Sequence, residues 1–99
     1  MAVILKYPLN IAIEQTIHVP IDAQILSIEV QNNNLCMWAL CEDAAFKRTK
    51  GIEVFMLMTG MPGVPEDILT THLFMGTKML SNGSFVAHLF VPKEPVAGD

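Results

Sequence analysis

The sequence predicts an all-β fold, either a small antiparallel sandwich or a partly open barrel, of about six to seven strands. Three observations carry this. Apolar residues recur with a period of two rather than 3.6. The apolar runs are short, and turn signals rich in Asn, Gly and Pro separate them at close intervals. No segment carries a convincing helical stripe. With 99 residues the chain has room for one core. We assign residues 1–92 to a single domain and 93–99 to a loose polar tail.

The elements follow in order. "MAVILKYPL" opens apolar, but Lys6 and Pro8 interrupt it and no basic segment precedes it, so it does not read as a targeting signal. "EQTIHVP" alternates: Ile17 and Val19 are expected inside, Thr16 and His18 outside. "AQILSIEVQ" alternates too, with Leu26, Ile28 and Val30 expected on the core face and Ser27, Glu29 and Gln31 opposite. "QNNNLC" supplies three asparagines, which tolerate positive φ, and marks a hairpin into Leu35–Cys41. "EDAAFKRTKG" is a polar break with room for one helical turn. Ile52 to Thr59 is a strand without alternation. "GMPGVPED" is a loop, because two glycines and two prolines defeat helix and central strand alike. Leu69 to Leu80 is one long strand, bent near Gly76. "SNGS" is an Asn-Gly turn, and Phe85 to Val91 is the last strand.

Composition narrows the function classes. The net charge is −4, from 10 acids and 6 bases, which argues against binding a nucleic-acid backbone. No apolar run approaches the ~20 residues of a membrane helix. Cys36 and Cys41 fall on opposite faces of one strand. They cannot bridge within it, which suits free thiols in a reducing cytoplasm.

Hydrophobic residues make up 52% of the chain and charged residues only 16%, against a usual ~25%. A small domain this poor in charge is expected to cover apolar surface with a second copy of itself. The two runs without a polar face are Leu35–Cys41 and Ile52–Met58. The second is the expected interface, through Val54, Met56 and Met58 by preference, or through Phe55 and Leu57 on the other face.

Chemistry-bearing patterns are sparse. His18, His72 and His88 lack the close spacing of metal ligands, so no metal and no cofactor is expected. The serines and cysteines sit in no nucleophile elbow beside a base. The basic cluster "KRTK" could seat an anion through Lys47, Arg48 and Lys50, with Trp38 or Phe46 stacking a base. The plainer readings are a solvated loop and a core tryptophan. His88 reads as a core or interface histidine holding a hydrogen bond.

The order "KYPL", "EQTI", "A-ILS", "QN", "WAL", "TG-P" and a final "H-F" resembles a family of short proteins of unknown function found mainly in phages and prophages. The likeness spans Lys6 to about Val91. It rests on Lys6, Tyr7, Pro8 and Leu9, on Glu14 to Ile17, on Ile25 to Ser27 with Gln31 and Asn32, and on Trp38 to Leu40. Thr59, Gly60, Pro62 and His88 complete it. Met61 stands where the family has a histidine, and Ala87 where it has a tryptophan. The resemblance implies a phage origin and a host bacterial cytoplasm, and it implies no mechanism.

The expectation is therefore a non-enzymatic, homo-oligomeric binding protein of host takeover or anti-defence. It would inhibit a host or CRISPR protein, or sequester a nucleotide immune signal. The alternatives are a phage particle or assembly component, and a small hydrolase of unrecognised type.

Overall fold

The computed structural model describes residues 1–42 and 48–93. Seven strands run in chain order: β1 (Ala2–Pro8), β2 (Glu14–Pro20), β3 (Gln24–Gln31), β4 (Asn34–Glu42), β5 (Thr49–Met58), β6 (His72–Leu80) and β7 (Phe85–Pro92). One single-turn helix, α1 (Ile68–Thr71), precedes β6. The strands form two antiparallel sheets, a three-stranded one ordered β1-β4-β3 and a four-stranded one ordered β2-β5-β7-β6. They do not close into a barrel. The architecture is the sandwich of the two predicted alternatives.

The inner faces meet in one core. Leu35, Met37, Ala39 and Cys41 of β4 face Ile52, Val54 and Met56 of β5 and Ala87, Leu89 and Val91 of β7, all buried. Such a layer excludes water from both inner surfaces, which is the main stabilising term for a sandwich. Each inner residue is followed by an outward one, as the pleat requires.

Two turns are as the sequence predicts. Asn32 and Asn33 have φ of 51° and 63° and join β3 to β4 with Gln31 paired to Asn34, the positive pair that a two-residue I′-type hairpin demands. Ser81 to Ser84 turn β6 into β7, with Gly83 at φ 87°. The two hairpin tips touch: the Ser81 amide donates to Asn33 Oδ1 at 2.9 Å. Nearby, Lys78 of β6 reaches Glu29 of β3 at 2.8 Å.

Three expectations are corrected. Leu26 is not in the core. β3 carries one extra residue between Ile25, opposite Ala39, and Ser27, opposite Trp38. This bulge reverses the parity, so Ile25, Ile28 and Val30 face inward and Leu26 turns out, 47% exposed. The segment from Leu69 is not one strand, because its first residues form α1 and the strand begins at His72. The bend near Gly76 is real: β6 bulges between Phe74 and Thr77, with Gly76 at φ 109°. Finally, β5 begins at Thr49 rather than Ile52, because Pro20, Val19 and His18 of β2 supply pairing partners to Thr49, Lys50 and Gly51.

The polar break keeps Arg48 as its described part, and 43–47 lie outside the described residues, as does the tail beyond Lys93. Cys36 and Cys41 are free and buried; Cys41 belongs to the core and Cys36 to the opposite side of β4. Among the described residues no helix is long and apolar enough to cross a membrane.

Candidate functional site

The apolar run of β5 is covered on both faces within the chain. Val54 and Met56 have no exposed surface, and Met58 packs beside them against the main core. The trio expected to meet a second copy meets the facing sheet instead. On the other side Leu57 joins Ile68 and Phe90 in a second buried cluster, with Phe55 and Met61 packed against it. The connection from Thr59 to Thr71 therefore lies over the outside of β5. A loop tethered at both ends supplies the second cover that the run requires.

Under this connection lies a cavity of about 200 Å³, lined by Ile13, Phe55, Leu57, Met61, Gly63, Pro65, Ile68, Thr71 and His72. Its walls are almost wholly apolar. His72 stands at its edge with its ring centroid 5.0 Å from that of Phe55. Its Nδ1 is 2.7 Å from Thr71 Oγ1, and its Nε2 is shielded from solvent and has no hydrogen-bond partner among the described residues. A buried polar atom left unpaired costs roughly 1–3 kcal/mol.

Beyond this covered cluster the outer face of the same sheet continues onto β6, where Phe74 and Met79 are exposed. The register sets His72, Phe74, Thr77 and Met79 of β6 beside Pro92, Phe90, His88 and Val86 of β7. Neither strand puts a charged residue on this face. Phe74 is 51% exposed and Met79 65%. Phe74 lies against Phe90 with ring centroids 5.3 Å apart. The polar groups in the middle are occupied with one another: His88 Nε2 is 2.8 Å from Thr59 Oγ1, and its Nδ1 is 2.8 Å from Thr77 Oγ1. His88 thus holds hydrogen bonds, as its flanking residues suggested. Both ring nitrogens thus face threonine hydroxyls. The arrangement ties the β5–β6 connection to β7 and β6.

The other sequence candidates separate. Trp38 is half-buried on the outer face of β4, not in the core, with Lys6 Nζ 5.7 Å from its ring. That face also exposes Ile4 and Leu26, but Lys6, Glu29 and Gln31 interrupt it. Arg48 is exposed and Lys50 half-buried at the start of β5, in the other sheet from Trp38. Phe46 and Lys47 lie outside the described residues. A joint base-and-phosphate site of Trp38 with Arg48 and Lys50 is therefore not assembled. Among the described residues no group of three or more His, Cys, Asp and Glu is placed to hold a metal ion.

Sequence reasoning missed Thr77, Phe74 and Met79, since the Gly76 bulge decides which β6 residues face out. It missed His72 as a cavity residue because α1 places it. Thr59 and His88, by contrast, both belong to the resemblance pattern, and the fold brings them together.

Fold and surface define a two-sheet antiparallel β-sandwich whose outer face carries no charged residue along β6 and β7, with a small apolar cavity beside it. The chain belongs to the family described as a domain of unknown function, DUF7352, whose model matches residues 1–98. No curated protein and no solved structure matches it.

Proposed function

We propose that this protein is a non-enzymatic binding protein, and that the outer face of β6 and β7 is its contact surface, joining it first to a second copy of itself. The observation that carries this is the charge-free face exposing Phe74 and Met79. The cores of protein interfaces are depleted in charge and enriched in Phe and Met. Closed symmetric pairing through one self-complementary patch is the commonest way to cover such a face. The resemblance to short phage and prophage proteins suggests the setting, host takeover or evasion of host defence in a bacterial cytoplasm. Within that setting a protein target suits the face better than a nucleotide signal, because the face offers no cation to hold a phosphate.

Sedimentation at tens of micromolar tests the reading. The wild type is expected to run as a dimer or higher oligomer. Met79→Asp is expected to run as a monomer with an unchanged far-UV spectrum, because Met79 is already exposed in one chain. Ile4→Asp, on the other sheet, should leave the oligomer intact. A monomeric wild type would reject the self-association.

A further inference from the structure

We propose that the contact face of β6 and β7 carries its own acid switch: His88 must be uncharged for a second copy to close over the face, so acidification separates the pair. The inference rests on the self-association proposed above and names what regulates it. On β6, Thr77 stands between Phe74 and Met79; the register sets His88 of β7 opposite Thr77, flanked by Phe90 and Val86. A partner that covers both Phe74 and Met79 therefore lies across the row that holds Thr77 and His88.

Within one chain His88 is partly exposed. Its ring nitrogens are 2.8 Å from Thr59 Oγ1 and 2.8 Å from Thr77 Oγ1. A hydroxyl both donates and accepts, so either tautomer of the neutral ring is satisfied in place. The charged ring is not equivalent. Around it β5 and the connection present Leu57, Met58, Thr59, Met61 and Val64, and β6 presents Thr77; none of these titrates. The chargeable residues on the same elements lie elsewhere. Lys78 bonds Glu29 of the opposite sheet, His72 packs on Phe55, Glu53 pairs with Thr16 of β2, and Glu66 and Asp67 precede α1. Among the described residues none of them borders the hollow over His88. Closing the face removes water from an imidazolium and supplies no counter-charge, which disfavours the charged form. Symmetry doubles the effect, because each copy of a two-fold pair brings its own His88 to the interface.

The uncharged ring is the one that associates. Association is therefore held above the imidazole range, near pH ~6.5, and is lost as pH falls through it. Net charge alone predicts the reverse. The chain carries −4 at pH 7 and has an isoelectric point of about 5.2, so acid removes repulsion between copies. Loosening in acid is a signature that net charge cannot produce.

The dissociation constant of the wild-type pair, from sedimentation of a dilution series, is expected to rise by up to about a hundredfold between about pH 7.5 and about pH 5.5, roughly tenfold for each His88. His88→Asn has no imidazole to charge and should show no such rise, whatever its affinity at the higher pH. On the wild type alone, the His88 ring signals should titrate at lower pH in concentrated than in dilute protein, a reading that needs no variant. A monomer at the higher pH rejects the self-association and the switch together. A pair equally tight or tighter in acid, a rise that persists in His88→Asn, or a His88 titration independent of concentration overturns the switch and leaves the contact face standing.

Discussion

Thr59 Oγ1 stands 2.8 Å from His88 Nε2 across a separation of 29 residues, and Thr77 Oγ1 stands 2.8 Å from the other ring nitrogen. One imidazole thereby fastens the start of the β5–β6 connection to two strands of the sheet. All three residues are only partly covered, so water can replace part of what a substitution removes. Thr59→Val is expected to cost ~0.5–1.5 kcal/mol in urea unfolding, with an unchanged m-value. His88→Leu should cost a similar amount. The double variant should fall short of the sum by at least ~0.5 kcal/mol, because residues in one network couple. Strict additivity would show that the contact contributes nothing.

Met56 discriminates an inner strand from an interface. It is fully buried between the sheets. A carboxylate placed there has no partner and must lose its hydration, which costs several kcal/mol. Small domains hold only ~5–15 kcal/mol in all. Met56→Asp is therefore expected to abolish the cooperative thermal transition, whereas Met79→Asp keeps it. A folded, monomeric Met56→Asp protein would contradict the packing of β5.

Much of the fold was legible because its signals are local. Alternation in Glu14–Pro20, the asparagines at 32 and 33 and the Asn82-Gly83 turn each constrain the backbone through their own side chains. What was not legible depends on partners distant in sequence. Leu26 looks like a core residue until β4 imposes a bulge beside it. The apolar run of β5 reads as an interface because nothing in "GMPGVPED" announces that the connection folds back over Phe55 and Leu57. Of the candidate surface, Thr59 and His88 could be named from the sequence. Thr77 and Met79 could not, because their outward direction is set by the register shift at Gly76.

The Asn32–Asn33 turn makes a graded prediction. Both residues sit at positive φ, 51° and 63°, where a Cβ is unfavourable. Glycine at Asn32 relieves that strain, so Asn32→Gly is expected to raise stability by up to ~1 kcal/mol. Asn33→Gly loses the acceptor for the Ser81 amide at the facing hairpin tip. It should gain less than Asn32→Gly or lose stability outright. Alanine at either position should cost about 1 kcal/mol. Urea midpoints for the four variants decide the order, and Asn33→Gly outranking Asn32→Gly would mean that the two hairpin tips are not joined.

Ile68 tests why a short chain can hold a strand that is apolar on both faces. The inner face of β5 is covered by the opposing sheet. The outer face, Phe55 and Leu57, is covered by Ile68 of α1 together with Met61 and Phe90. Ile68 is buried although α1 is a single turn with no side-chain cap. So short a helix has little stability of its own; the burial of Ile68 holds it in place. Truncating that side chain should remove both the contact and the reason for the turn. Ile68→Ala is expected to lower stability by ~2–4 kcal/mol, as for other buried large-to-small changes. It should also produce a local opening: a dye that reports exposed apolar surface should bind under native conditions, while the β-type far-UV spectrum persists, because the inner core does not include Ile68. A loss below ~0.5 kcal/mol with no dye uptake would mean that the connection does not shield β5. The second face of that strand would then need another cover.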